Sequence, residues 1–143
     1  MKTVQFTLQT SGRSQLIDIT SRVREAVTAY GIREGLCTIF IPHTTAAVTI
    51  NENADPDVAR DFLYELDKIV PWQDGYRHAE GNSAAHLKSS LIGVSEQVLI
   101  ENGRLMLGTW QGIYFCEFDG PRTRRVLVRI DSSDFSTGNT TAA

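Results

Sequence analysis

No apolar run in this chain approaches the roughly 18 residues that a membrane-spanning helix needs, so no membrane partner is expected. Cysteine is scarce. Cys37 and Cys116 each sit inside a strand-like apolar run, GLCTIFI and IYFCEF. Two buried free thiols are expected rather than a disulfide, and neither has the spacing of a cysteine-based metal site. The opening MKTVQFTLQT alternates polar and apolar residues and does not read as a secretion signal. Positive charge is also short: the net charge is -3 and the pI about 5.6. A nucleic-acid binder would usually carry a basic face, so no nucleic-acid partner is expected. The one basic cluster holds Arg122, Arg124 and Arg125, and the last two read as a solvated strand end. There is no glycine-rich dinucleotide or phosphate loop and no internal repeat. What remains is ordinary: 41% apolar, 22% charged, and 143 residues, enough for one domain with its own core. A soluble cytoplasmic protein is the expectation.

Val4, Phe6 and Leu8 alternate with polar neighbours, which predicts a strand over 2–9. QLIDIT predicts a second strand. Ser21 is placed to cap a helix with Val23, Ala26, Val27 and Tyr30 on one face, ended by Gly31. GLCTIFIPHTT predicts a strand that ends or reaches an edge at Pro42, followed by a short strand AAVTI. Asp55 and Pro56 signal a helix start. Its apolar face would carry Val58, Phe62, Leu63, Leu66, Ile69 and Val70, and Pro71 would stop it. After the loop WQDGYRHAEG, Asn82 is placed to cap a shorter helix whose Leu87 and Leu91 face inward. QVLIE, the stretch around RLMLGTW, GIYFCEFD and RRVLVRI predict closing strands. Asn102-Gly103 is a hairpin signal between the first two, and Asp119-Gly120-Pro121 a turn signal before the last. Strands, then helices, then hairpins predict an α+β fold on a mixed, largely antiparallel sheet. Residues 1–131 form the single expected domain, and the small polar tail 132–143 is expected to be flexible.

The three histidines fall in the segments richest in Asn, Thr and Glu. His43 ends a strand, His78 lies in a loop, and His86 falls in the first turns of a helix. His86 comes four residues after Asn82, so the two share a face that continues to Ser89 and Ser90. Strand ends, loops and helix starts are places from which a scaffold can aim side chains at one point. Three neutral imidazoles suit a zinc-like ion and would leave a fourth position open. Glu52, Glu80 and Glu117 are available by type as partners that orient such ligands. The alternative is three unrelated histidines. Asn51, Glu52 and Asn53 read either as a loop that caps backbone groups or as the polar mouth of a pocket. Trp110 and Gln111 read as a turn or as an aromatic wall with a polar tip.

Three stretches, HTTAAVTINENADPDV, HAEGNSAAHLKSSLIG and ENGRLMLGTWQGIYFCEFDGPR, occur in order. They closely resemble the YjbQ-like family of small proteins from about Val4 to Ile130. The resemblance implies a compact α+β sandwich on a mixed sheet and a homotrimer with clefts near subunit boundaries. It implies that His43, His78 and His86 are metal ligands, with zinc the usual ion. Matching polar positions around that site are Thr45, Asn51, Glu52, Asn82, Gln111, Glu117 and Arg122.

The function so implied is a metal-dependent enzyme acting on a phosphorylated small molecule. Some family members carry the designation secondary thiamine-phosphate synthase. Glu52 or Glu117 would serve as general base, and Arg122 would pair with a phosphate. Thr45, Asn51, Asn82 and Gln111 would bind substrate. Departure of diphosphate is usually assisted by magnesium held through carboxylates, whereas imidazoles favour a softer ion. That contrast leaves room for a different main reaction. The alternative is a non-catalytic, metal-containing trimeric protein that binds a metabolite or has a structural role.

Overall fold

A computed structural model describes residues 1–133; of the tail expected over 132–143, Ser132 still belongs to the last strand and residues 134–143 lie outside the described residues. The order is β1 (Lys2–Gln9), β2 (Gln15–Asp18), α1 (Thr20–Tyr30), β3 (Gly35–Phe40), β4 (Ala46–Glu52) and α2 (Pro56–Ile69). Then come α3 (Ser83–Ile92), β5 (Ser95–Glu101), β6 (Arg104–Leu105), β7 (Gln111–Glu117) and β8 (Thr123–Ser132). The strands form two sheets, β1-β8-β3-β5-β6 and β2-β7-β4. Every described pairing is antiparallel, in keeping with the largely antiparallel sheet expected, and no parallel pair occurs among the described residues. Parallel neighbours need a long crossover within one sheet. Here the helical segment α2–α3 instead carries the chain from β4 in one sheet to β5 in the other.

The two sheets face each other. Cys37, Ile39, Val98, Ile100, Val126, Val128 and Ile130 from the larger sheet meet Ala46, Val48, Ile113 and Phe115 from the smaller. Val23 and Val27 of α1 close one side of this core. The smaller sheet is covered on both faces, which explains why β7 is buried along nearly its whole length. Its second face holds Ala47, Cys116 and Phe118 against Leu66 of α2 and Ala85 of α3. Both cysteines are free and buried. Burial pushes the Cys37 thiol up to about 12, so it is inert as a nucleophile.

Several helix details depart from expectation. α1 is not capped by Ser21, which lies inside the first turn. Asp18, at the end of β2, instead accepts from the Thr20 amide at 2.9 Å and from its hydroxyl at 2.5 Å. Gly31 ends α1 at φ 78°, as its sequence position predicts. Asp55 caps α2 through the Asp57 amide at 2.9 Å. Leu66 and Val70 are buried there, but Ile69 is 64% exposed because the contact stripe narrows toward the helix end. In α3, Leu87 and Leu91 point outward, against expectation, at 45% and 63% exposure. Ala84, Ala85, Lys88 and Ser89 are buried instead. Small side chains let α3 approach β4 closely enough for Ser89 Oγ to donate to the Ala46 carbonyl at 2.6 Å. A leucine on that face would hold the helix off.

The Asn102-Gly103 hairpin forms as its sequence predicts, with φ of 52° and 74°. The strand expected around RLMLGTW is only Arg104–Leu105. Gln111 then pulls the chain into a turn, its side chain accepting from the Gly108 amide at 2.8 Å. Gly35 opens β3 where the backbones crowd. A Cβ there would run into the Asp131 carbonyl oxygen and come within 2.8 Å of the Ile32 side chain. Gly35→Ala is therefore expected to cost about 1–3 kcal/mol by forcing β3 and β8 apart. Urea unfolding checks this, and a loss under about 0.5 kcal/mol would contradict it.

Candidate functional site

His43 follows Pro42, just past the end of β3. Its Nε2 accepts from the Arg125 amide at 2.9 Å. A ring that accepts at Nε2 carries its neutral-state proton on Nδ1. Nδ1 has no partner among the described residues. Burial lowers the pKa of this ring, and the charges of Arg124 and Arg125 lower it further against smaller opposing effects. At neutral pH His43 is therefore a neutral imidazole with a free N–H.

His86 sits one turn into α3, and the close seat of α3 on β4 aims it. Gly81 takes φ 77° and donates its amide to the His78 carbonyl at 3.1 Å, which turns the preceding loop back over the helix start. The His78 and His86 rings end up edge to face, with centroids 5.3 Å apart. His78 Nε2 lies 3.8 Å from Glu80.

His86 forms the wall between two cavities. The larger, of about 650 Å³, is lined by Pro42, His43, Thr44, His86, Ser90 and Val94 among others. The second, of about 420 Å³, is lined by Tyr76, His78, His86 and Leu87 among others. The expected face running from His86 to Ser89 and Ser90 does line the larger cavity. Thr44 has no role in the sequence reading, and Arg125, expected only as part of a solvated strand end, holds His43 through its amide. The alternation in HTT, which buries Thr45 and exposes Thr44, is the signal that could have found the first of them.

Beneath His43 lies a buried ion pair. Arg124 is 2% exposed and Glu117 fully buried, so Arg124 is not the solvated strand end that its neighbours suggest. Arg124 Nε donates to Glu117 Oε1 at 2.8 Å and its Nη2 bonds Oε2. Glu117 also accepts from Thr10 Oγ1 at 2.8 Å and from the Asp119 amide at 2.9 Å. Burial alone would raise this carboxyl. The bonds from Arg124, Asp119 and Thr10 outweigh it and hold the pKa below the ordinary value. Both oxygens are committed, so Glu117 is a structural anion and not a free general base. Thr45 is buried too, its hydroxyl accepting from Arg124 at 2.9 Å. Its carbonyl accepts from the same guanidinium at 3.2 Å, so Thr45 belongs to the buried ion-pair network.

Asn82 stands at the cap position of α3 but makes no side-chain cap bond. Its Nδ2 donates to Asp119 Oδ2 at 2.8 Å, and its buried Oδ1 has no partner. Arg122 is held by the same carboxylate at 3.1 Å, half exposed. Thr45, Asn82, Glu117 and Arg122 thus gather near the His43 end of the sandwich.

Asn51, Glu52 and Gln111 do not join them. In the β4–β7 register Ala46 faces Glu117, while Glu52 faces Gln111. Six residues of strand separate the two ends, about 20 Å. Glu52 sits instead by Tyr114, whose hydroxyl donates to its carbonyl at 3.2 Å. Within one chain, Glu52 cannot serve as a base at the histidine cavity.

A metal can be tested against these donors. Two imidazoles on one tetrahedral zinc, at about 2.1 Å per Zn–N bond, hold their centroids about 5 Å apart. The His78–His86 spacing fits that. His43 stands apart from that pair in this structure, its Nε2 accepting from the Arg125 amide. No group of three or more His, Cys, Asp or Glu among the described residues is placed to hold a metal ion.

The molecule is therefore an α+β antiparallel sandwich with a histidine-walled cavity at one end. Over residues 4–133 it matches the family described as UPF0047 protein YjbQ-like, and it belongs to that family. It is 54% identical to UPF0047 protein YugU of Bacillus subtilis over 131 residues, 91% of this chain and 98% of that protein. UPF0047 protein MJ1081 of Methanocaldococcus jannaschii is 46% identical over 126 residues, 88% of this chain and 91% of that protein. A crystal structure of a YjbQ/UPF0047 family protein from Clostridium acetobutylicum is similar, with TM-score 0.88 and 58% identity. It covers 90% of this chain and 99% of its own. Hypothetical protein APE1520 from Aeropyrum pernix K1 gives TM-score 0.89 at 38% identity, covering 93% and 100%. No helix among the described residues is long and apolar enough to cross a membrane.

Proposed function

We propose that this chain is a metal-dependent enzyme acting on a phosphorylated small molecule in the cavity between His43 and His86. The observation that carries this reading is His86 itself, paired with His78 on one side and lining a cavity with His43 on the other. His78 and His86 would hold a zinc-like divalent ion, which would supply Lewis-acid chemistry there. The protein's own groups then supply the rest. The His43 Nδ1–H donates to a phosphoryl oxygen, as a neutral imidazole can without carrying charge. Thr44 and Ser90 add hydroxyls from the cavity wall. Arg122, held by Asp119, keeps part of its guanidinium exposed for an anionic group. Secondary thiamine-phosphate synthase activity is the narrower form of this reading.

The same proposal includes a homotrimer. On the outer face of the larger sheet, Phe40 stands opposite Leu127 and Leu36 opposite Leu99. Phe40 and Leu99 are 42% and 59% exposed, which makes this face the natural subunit contact. Two free buried thiols agree with a reducing, cytoplasmic setting.

One observation favours the alternative, a non-catalytic metabolite-binding protein. No carboxylate lines the larger cavity, so neither Glu52 nor Glu117 supplies a base at its wall and only an imidazole is left for that role. The test is turnover of zinc-loaded protein on both thiamine precursors and on a panel of phosphorylated small molecules, followed by phosphate or pyrophosphate release. His86→Ala and His43→Ala are each expected to lower the rate about 100-fold. Unchanged turnover in the His43, His78 and His86 alanine variants would sink the enzyme reading. Tight binding without turnover would establish the alternative.

A further inference from the structure

A third cavity, of about 390 Å³, lies between α1 and the β5–β6 hairpin, lined by Arg24, Val27, Thr28, Gly103, Arg104 and Leu105. Arg24 and Thr28 are four residues apart and share one helix face. Arg104 faces them from the first position after the hairpin turn. Val27 and Leu105 are buried and form the floor. The hairpin is held firmly. Gly103 donates its amide to the Arg33 carbonyl at 2.9 Å, and Asn102 Oδ1 accepts from Arg33 at 3.1 Å.

Neither Arg24 nor Arg104 has a hydrogen bond or ion pair among the described residues. No acid lines the cavity. Glu101 stands opposite Arg104 in the ladder but makes no ion pair with it. Two guanidinium groups of like charge across one cavity repel each other, and an anion between them removes that repulsion. The place is far from the histidines. Gly103 and Arg104 lie at the Gly35 end of β3, and His43 lies beyond the Phe40 end, at least about 15 Å away along the strand.

We propose that this cavity is a separate binding site for the phosphoryl group of a small anionic metabolite. A phosphoryl group offers three terminal oxygens in a pyramid. Two forks from opposite walls and the Thr28 hydroxyl can each reach one. A carboxylate is planar and satisfies one fork. The volume suits a small molecule and not a polymer.

Calorimetry at low ionic strength tests this with inorganic phosphate and pyrophosphate, and with succinate as the carboxylate arm. The wild-type chain is expected to bind pyrophosphate. Arg24→Ala and Arg104→Ala should each weaken it about tenfold, and the double alanine variant should abolish it. Arg24→Lys with Arg104→Lys keeps the charge but loses the forks, and should bind several-fold more weakly. In a His86→Ala background, where the histidine cavity has lost a wall, a pyrophosphate site should remain and should still be weakened by Arg24→Ala and Arg104→Ala, which separates this site from the histidine cavity. Both arginines are exposed, so the variants should keep the wild-type Tm, which a melt confirms. No pyrophosphate binding by the wild type, equal binding by the double alanine variant, loss of binding in His86→Ala, or tighter binding of succinate would each overturn the proposal.

Discussion

Arg124→Ala is expected to lose about 3–5 kcal/mol of folding stability, because it strands the Glu117 carboxylate in the interior. For a domain of this size that is a fall of about 10 °C in Tm. The loss follows from burial on both sides of the pair, since neither residue can turn to solvent. Replacing both partners, as Glu117→Leu with Arg124→Met, should recover part of the loss. Thr10 and the Asp119 amide would still lack their acceptor, so the double variant should remain about 1–3 kcal/mol below wild type. The pair also sets an acid limb. Glu117 has a folded pKa below its unfolded value of about 4.3, so its pairing contributes fully above that pH. The contribution is lost as pH falls through the lower, folded value. Urea unfolding from pH 7 down to pH 2 should show a steeper acid loss in wild type than in the double variant. An Arg124→Ala chain within 1 kcal/mol of wild type would refute the account.

The second large effect concerns metal. Protein made without a histidine tag and equilibrated with zinc is expected to hold about one ion per chain. His78→Ala and His86→Ala should each weaken that binding 100-fold or more, because each removes half of the paired donors. His43→Ala should weaken it about tenfold or less, since its Nε2 already serves the Arg125 amide. Elemental analysis after gel filtration, with a competing chelator, reads all three. Equal loss in all three variants would mean that His43 gives up Arg125 and completes a three-imidazole set. Absence of zinc from the wild type would leave the cavity as a plain anion or metabolite site.

Period-two patterns carried most of the strand assignments, and Asp55-Pro56 and Asn102-Gly103 announced a helix start and a hairpin that both formed. The helix faces were read less well. Leu87 and Leu91 look like core residues by type, yet the seat of α3 is set by backbone approach to β4, which favours Ala85 and Ser89. Residue type cannot show that competition. Arg124 is more instructive. It lies in phase with Val126, Val128 and Ile130, so the same alternation that predicted the strand also places it inward. Its charge alone suggests a solvated position, but the alternation of the strand decides its orientation. The His78–His86 contact was not specified by the sequence, which placed His86 on a face with Asn82 and His78 only in a loop. Nor was the distance between Glu52 and Glu117, since it depends on which ends of β4 and β7 pair. The resemblance supplied the matching positions, but it could not say which of them share one chain's cavity.

Glu117 and Arg124 belong to different sheets, yet only seven residues separate them. That spacing makes the corner between β7 and β8 a local latch. Most sheet-to-sheet contacts in a sandwich must wait for distant segments to find each other, and they bear the entropy of closing long loops. This one closes a short loop and aligns one layer on the other. Folding of this chain can therefore begin at the corner, with β1 and β3 adding to β8, and β2 and β4 adding to β7, on two layers already facing each other.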